Sequence, residues 1–213
     1  MNKFKLICFD VDGTLVDGTS WLLLTEGLSC LTQKHIDIFN RAKKGEISFS
    51  EGEKMLTKMY QESGNATKEF IKKVFSKIKP RFEVKELISY CKKKGYKIYL
   101  ISGAIDIYVG EIAKKLKVDG YYANSSLEFN DENILNKIHY RNNQGEIKVE
   151  QLRGLIEKLG IKMNEVVFVG DGENDTEIFK ETGHGIAVNS LSEELKSIAW
   201  KNIFSLGEIK DIL

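Results

Sequence analysis

Residues 4–14 run Phe4-Lys5-Leu6-Ile7-Cys8-Phe9-Asp10-Val11-Asp12-Gly13-Thr14, a short run rich in apolar β-formers that stops at two acids and a glycine. A run of this length bounded by turn residues predicts a buried strand followed by a polar loop, with carboxylates at the strand's C-terminal end. Two further junctions have the same form: Tyr96 to Ile101 leads into Ser102-Gly103, and Val166 to Val169 leads into Gly170-Asp171-Gly172. Helical patterns lie between them, with Val84, Leu87, Ile88 and Cys91 at i, i+3, i+4, i+7 and Leu152, Leu155, Ile156 and Leu159 at the same spacing. Alternating strand and helix predicts an α/β fold with a parallel sheet covered by helices on both faces. Ligands of such sheets bind outside the carboxyl ends of the strands, where all three polar loops fall.

From Asp12 to Ser102 the chain is far longer than the ~30 residues that one strand-helix-strand unit needs, so an insert is predicted. Gly18 to Lys79 contains no convincing strand but several helical patterns, such as Phe70, Val74, Phe75 and Ile78, broken at Gly45 and Gly64-Asn65. The only proline, Pro80, marks the return to the core. The division expected is a core of residues 1–16 and 80–213 and a small α-helical module of residues 17–79. After a helix beginning near Ile105, a smaller excursion is expected. It runs through Tyr121 to Ala123, Leu127 to Phe129, turn chemistry at Asn130-Asp131-Glu132-Asn133, and Ile134 to Tyr140, which predicts a strand and a β-hairpin or flap.

The chain has 213 residues, enough for one large domain or one domain carrying an insert. Hydrophobic residues make up 42% and charged residues 30%, with 32 Lys+Arg against 31 Asp+Glu, which argues against disorder and against a charge that coats nucleic acid. Function is therefore expected in a local site. Cys8, Cys30 and Cys91 are odd in number, far apart and without a CxxC pair, which argues against a disulfide framework or a cysteine zinc site and favours a reducing, cytoplasmic compartment. Met1 to Phe9 lacks the apolar stretch of a signal peptide, and no run approaches the ~18 apolar residues that span a bilayer. Neither a nucleic-acid nor a membrane partner is expected.

Asp10 and Asp12 are two apart at a strand end, so continued strand geometry projects both side chains to one side. Two carboxylates this close repel, which calls for a bound proton or a cation. Asp171 and Asp175, at another strand end, could complete an all-oxygen shell, for which Mg²⁺ is the natural ion. Either cluster alone is equally well explained as turn and helix-cap chemistry. Ser102 and Gly103 follow a strand and precede a helix, where a hydroxyl and backbone N–H groups can hold a phosphate, although an ordinary serine N-cap looks the same. Lys148 opens a helix ahead of the last strand, an unfavourable place for a cation beside the helix dipole unless it pairs with an acid or a phosphate. Trp21 is read either as stacking on a substrate or as packing the insert on the core, and Trp200 as packing. His35, His139 and His184 are scattered without metal-ligand neighbours. The lysines of 92–94 and 114–115 read as solvated helix faces.

Taken in order, Asp10-Val11-Asp12-Gly13-Thr14-Leu15-Val16, then Ile101-Ser102-Gly103, then the Lys148 helix, then Val169-Gly170-Asp171-Gly172-Glu173-Asn174-Asp175, the chain resembles the haloacid dehalogenase superfamily of aspartate-dependent phosphohydrolases. The resemblance spans Phe4 to about Asn189. It implies a Rossmann-like core with a helical cap inserted between the first and second motifs, the place where the helical module was read independently. It also implies Asp10 as nucleophile, Asp12 as general acid and base, and Mg²⁺ on Asp10, the Asp12 carbonyl and Asp171, with Asp175 in or just behind that shell. Ser102, Gly103 and Lys148 would hold the phosphoryl oxygens and Asn174 would serve the substrate or metal edge. Asp17 and Thr19, at the cap entrance, are the remaining candidates for substrate contact.

Within the superfamily, residues 101–109, 143–152 and 169–189 are similar to the phosphoserine phosphatase group. The chain departs from that group where a glutamate grips the substrate amine, offering Thr19 in the stretch Val16 to Trp21, and where a cap arginine takes the substrate carboxylate, offering only Lys54 and Lys58. Gly13, as in many sugar-phosphate members, also leaves open a different small phosphate monoester. The resemblance thus implies a Mg²⁺-dependent phosphatase acting on a small phosphorylated metabolite, as a monomer or homodimer. The alternatives are a phosphotransferase or mutase on the same scaffold, and a non-enzymatic phospho-acceptor switch such as a receiver domain. The last is disfavoured because receivers lack both the insert and the second carboxylate.

Overall fold

A computed structural model describes residues 3–213. In chain order the strands are β1 (Leu6–Phe9), β2 (Lys97–Ile105), β3 (Gly120–Phe129), β4 (Leu135–His139), β5 (Val166–Gly170), β6 (Gly185–Val188) and β7 (Lys201–Ile203). They form one sheet in the order β4-β3-β2-β1-β5-β6-β7. Every neighbouring pair is parallel except β3 with β4. The fold is thus an α/β, Rossmann-like one, as the strand-helix alternation and the resemblance predicted.

Strand β1 shows why the sheet is covered on both sides. Its four residues are all buried, and they divide by parity. Ile7 and Phe9 belong to one apolar cluster with Val84 and Leu87, whereas Leu6 and Cys8 belong to the other with Leu152 and Leu155. A period-two alternation therefore serves two cores, which is why the stretch is continuously apolar. The first cluster is closed by helices α5 (Val84–Lys93) and α6 (Asp106–Leu116), and the second by α7 (Gln144–Leu159) and α8 (Thr176–Thr182). The direction of strand succession reverses between β1 and β5, so the crevice outside their carboxyl ends is the switch point at which this architecture binds ligands.

Between β1 and α5 lie α1 (Ser20–Gly27), α2 (Thr32–Lys43), α3 (Phe49–Glu62) and α4 (Lys68–Ser76). Local chemistry starts three of them: the side-chain oxygens of Thr19, Ser48 and Thr67 accept from Leu22 N, Glu51 N and Phe70 N, and Ser48 with Glu51 forms a full capping box. The helices lean on the β3–β4 hairpin. Gln61 Nε2 donates to Leu135 O at 2.8 Å, and Lys68 N donates to Asn133 O at 2.8 Å. Inside the helical group His35 Nδ1 lies 2.7 Å from Thr25 Oγ1 and 3.0 Å from the Tyr60 hydroxyl, all three residues being buried. Burial pushes His35 down to about 4, so the ring is neutral near pH 7.

Several local expectations differ from the structure. Ser102 and Gly103 lie inside β2, which runs on to Ile105 past the expected strand end at Ile101, so Ser102 is not a helix N-cap. The two short strands expected at 121–123 and 127–129 are one continuous β3, because the intervening Asn124 and Ser125 are buried. Helix α7 starts at Gln144, which puts Lys148 in its second turn, and two further strands follow β5. Trp200 packs against Phe4 and His184, as a structural tryptophan should. Among the described residues no helix is long and apolar enough to cross a membrane.

Two consequences for stability follow. Helix α8 approaches β6 so closely that a methyl group on Gly185 would stand 2.2 Å from the Phe179 ring. Gly185→Ala is expected to cost about 1–3 kcal/mol in urea unfolding, and its combination with Phe179→Leu to cost less than the sum of the two single changes. The second consequence concerns His35. Its folded-state pKa is lowered, so the fold favours the neutral ring: the stabilisation is complete above the unfolded pKa of about 6.5 and is lost as pH falls through the window toward about 4. Unfolding free energies from urea titrations at pH 7 and 4.5 should fall by roughly 2 kcal/mol more for wild type than for His35→Gln. Parallel curves would show that the imidazole takes no part.

Candidate active site

Asp10 leaves the end of β1 and Asp171 the end of β5, neighbouring parallel strands in which Phe9 is level with Val169. The parallel pairing therefore brings residues more than 150 positions apart in sequence to one edge. One carboxylate oxygen from each of Asp10, Asp171 and Asp175 can be chosen so that all lie within 4.8 Å of one another. Asp171 is fixed by Thr14, whose hydroxyl donates to Oδ1 at 2.6 Å, and by Ser190, whose hydroxyl donates to its backbone carbonyl at 2.6 Å. Its Oδ2 lies where a side chain on residue 13 would begin, 2.2 Å from the position of a Cβ on Gly13. Burial pushes Asp171 up to about 6 despite the Thr14 hydrogen bond, and the Asp10 charge adds to the effect. An all-oxygen anionic set of this kind fits a hard divalent cation.

Lys148 has no exposed surface and lies between two of these acids, 2.9 Å from Asp10 Oδ2 and 2.6 Å from Asp175 Oδ1. Burial alone would lower its pKa, but the Asp10 and Asp175 charges outweigh that and hold it well above the ordinary lysine value. Asp175 also accepts at Oδ2 from the backbone N–H groups of Asp171 at 3.1 Å and Gly172 at 3.3 Å. Both of its oxygens thus have donors, and the residue anchors the lysine and the β5 loop from behind the cluster. In the second turn of α7 the helix dipole bears little on Lys148; its burial is offset by the two carboxylates.

Asp12 is set differently. Its Oδ2 accepts from the Ser20 amide at 2.9 Å and the Ser20 hydroxyl at 3.0 Å, while its buried Oδ1 has no hydrogen-bond partner. Burial pushes Asp12 up to about 7 against the Ser20 hydrogen bonds, with the Asp10 charge contributing in the same direction. A carboxyl with one oxygen braced by Ser20, the other left unbonded beside the buried Tyr108 hydroxyl, and a pKa near neutrality is suited to give and take a proton.

Ser102 is fully buried and accepts at Oγ from Ala104 N at 3.2 Å. The Gly103 carbonyl is held by Ser125 Oγ at 2.9 Å, and a Cβ on Gly103 would stand 2.6 Å from Gln144 Oε1. These residues share a cavity of about 520 Å³ with Asp10, Asp12, Asp171, Asn174 and Thr19. Lys148 is not part of its wall, and neither is Asp17. Asp17 is placed otherwise than expected: it is exposed and ion-paired at 2.7 Å with Arg81, whose Nη2 donates to Gly13 O, so it braces the entrance loop instead of facing the cavity. Thr19 Oγ1 meanwhile caps α1.

Sequence reasoning passed over Thr14, Ser20, Ser125, Gln144 and Ser190 as bracing residues. Thr14 carried a signal, since it belongs to the first motif. The others contact the site only through tertiary packing; Gln144 Oε1, for instance, accepts from Asn124 Nδ2 at 2.8 Å. The aromatic wall was also missed: Tyr140, at the end of the hairpin, has Phe49 stacked on it at 5.7 Å and Phe39 edge-on at 6.4 Å.

The haloacid dehalogenase-like hydrolase family model matches residues 4–183. A phosphoserine phosphatase of Methanocaldococcus jannaschii is 32% identical over 192 residues, covering 87% of this chain and 85% of the relative. One of Archaeoglobus fulgidus is 30% identical over 197 residues, and there the match spans 92% of this chain but only 55% of the relative's length. Among solved structures, a phospho-aspartyl intermediate analogue of phosphoserine phosphatase superposes with a TM-score of 0.77 at 28% identity, over the whole of both chains. A substrate-bound phosphoserine phosphatase complex gives 0.75 at 27% identity, over 100% of this chain and 98% of that one. The four motifs, the sheet order and the relatives agree: the chain belongs to the haloacid dehalogenase-like hydrolases.

Proposed function

We propose that this hydrolase is a Mg²⁺-dependent phosphatase that cleaves a small phosphate monoester through an aspartyl-phosphate on Asp10. The observation that carries the proposal is the pairing of two unlike carboxyls in one cavity wall: Asp10, ion-paired with the buried Lys148, and Asp12, with a free Oδ1 and a pKa near 7. In this reading an Asp10 carboxylate oxygen attacks phosphorus while protonated Asp12 gives its proton to the departing alkoxide. Water then attacks the acyl phosphate, Asp12 takes the water's proton, and phosphate leaves as the Asp10 carboxylate is restored.

Asp10, the Asp12 backbone carbonyl and Asp171 would hold Mg²⁺, with Asp175 behind them. When bound, the ion supplies positive charge that masks the repulsion between carboxylate and phosphate. Lys148 orients Asp10 through their 2.9 Å ion pair and sets a positive charge behind the phosphoryl site. Ser102, Gly103 and Asn174 line the space for the other phosphate oxygens. Residues 17–79 are read as a cap over the core of residues 1–16 and 80–213, excluding water from the cavity. Three free cysteines, two of them buried, accord with a reducing, cytoplasmic compartment.

With Mg²⁺ saturating, Asp10→Asn should lose turnover of p-nitrophenyl phosphate by roughly three orders of magnitude or more while keeping its circular dichroism spectrum. In the same assay EDTA should remove wild-type activity and Mg²⁺ restore it; steady-state hydrolysis by the mutant within tenfold of wild type would refute the nucleophile. Asp12→Ala separates the two half-reactions. Because p-nitrophenolate leaves without a proton, the variant should release about one equivalent per site in a burst and then stall, its steady rate down about 10²–10⁴-fold. Linear release at the wild-type rate would assign the proton transfers elsewhere.

A further inference from the structure

The cavity has two chemically distinct ends. One carries Asp10, Asp12 and Asp171; the other, which would receive the group esterified to phosphate, is walled by Trp21, Leu22, Phe39, Phe49, Leu56 and Tyr140. An apolar wall alone is common to ligand pockets. The informative feature is what the wall lacks: among the described residues that line it there is no lysine and no arginine. Lys54 and Lys58, on α3, are exposed to solvent outside it. Arg81 is engaged by Asp17 and the Gly13 carbonyl, and Arg141, which follows Tyr140, is exposed and is not among the lining residues. His35 reaches the wall but is neutral, held by Thr25 and Tyr60. Glu53 is the one ionisable acid at this end, and its Oε1 already accepts from Tyr140 N at 2.6 Å.

A carboxylate on the substrate would therefore be taken out of water with no cation to meet it, and it would face Glu53 and the aspartates. Burying an unpaired charge in this way is strongly unfavourable. Alkyl or aromatic carbon, by contrast, gains about 0.8 kcal/mol for each methylene buried. The rings around Tyr140 pack on one another, Phe49 at 5.7 Å with planes 23° apart, so they form a continuous apolar surface and not an open cage for a cation. From this lining we infer that the enzyme's substrate is the phosphate monoester of an uncharged, largely apolar alcohol, not of an amino acid. The inference rests on the phosphatase reading of the same site.

The test is kcat/KM with Mg²⁺ over ethyl, butyl and hexyl phosphate, O-phosphoserine, phosphoethanolamine and phosphocholine. These are all alkyl esters, so differences report recognition more than leaving-group reactivity. The expected result is a rise of about fourfold per methylene from ethyl to hexyl phosphate, carried mainly by KM, with O-phosphoserine below ethyl phosphate. Phe39→Ala and Leu56→Ala should each lower the hexyl-to-ethyl ratio. O-phosphoserine as the best substrate overturns the inference alone, and so does phosphocholine or phosphoethanolamine, since a cation would then be what the aromatic and acidic wall selects. A flat alkyl series overturns it as well. No turnover of any ester, p-nitrophenyl phosphate included, overturns the phosphatase reading together with the inference.

Discussion

A lysine with no solvent-exposed surface, held between Asp10 and Asp175, ties together the three segments that make the site. Asp10 ends β1, Lys148 stands in the second turn of α7, and Asp175 closes the loop after β5. A buried pair of this kind gains little net energy over an apolar packing, yet removing one member leaves an uncompensated charge at a cost of about 3–5 kcal/mol. The ion pair is therefore better understood as a register pin than as a source of stability. It holds α7 against the sheet at Asp10 and ties the β5 loop to both through Asp175.

Around that pin, the protein treats its acidic groups unequally. Asp175 has donors on both oxygens and is spent on structure. Asp171 is gripped on one oxygen by Thr14 and keeps the other toward the cluster. Asp12 is braced by Ser20 and keeps a buried oxygen without a partner, which burial turns into a proton-holding site near neutral pH. Chemically similar side chains within one crevice thus acquire different roles from their hydrogen-bond partners and not from their sequence neighbourhood. Elsewhere in the wall, the helices after β1 and the hairpin contribute mainly apolar side chains, with Glu53 and His35 among them.

The core was legible because its signals are local. A continuous apolar run ending in acids could hardly be anything but a central strand of a doubly covered sheet, and the parity of Leu6 to Phe9 shows why it is apolar at every position. The helices α1–α4 after β1 were legible from length and from the breaks at Gly45 and Gly64. The merging of two expected strands into β3 was not legible, because Asn124 and Ser125 are polar residues buried for their contacts with Gln144 and Gly103. The end of β2 was not legible either: a serine before a glycine looks like the close of a strand, but the sheet register carries β2 through Ser102. Asp17 looked like a substrate contact because it follows the motif; Arg81, 64 residues away, claims it.

By itself the sequence determined the layer architecture, the helical stretch after β1 and the identity of the acids at the strand ends, since periodicity and turn chemistry act over a few residues. Only the tertiary structure decided which oxygen of each acid is free, that Lys148 is buried between carboxylates and not solvated, and that the wall facing the substrate carries no positive charge. Those features depend on distances between segments far apart in the chain. No local pattern encodes them until the sheet has brought β1, α7 and β5 to one edge.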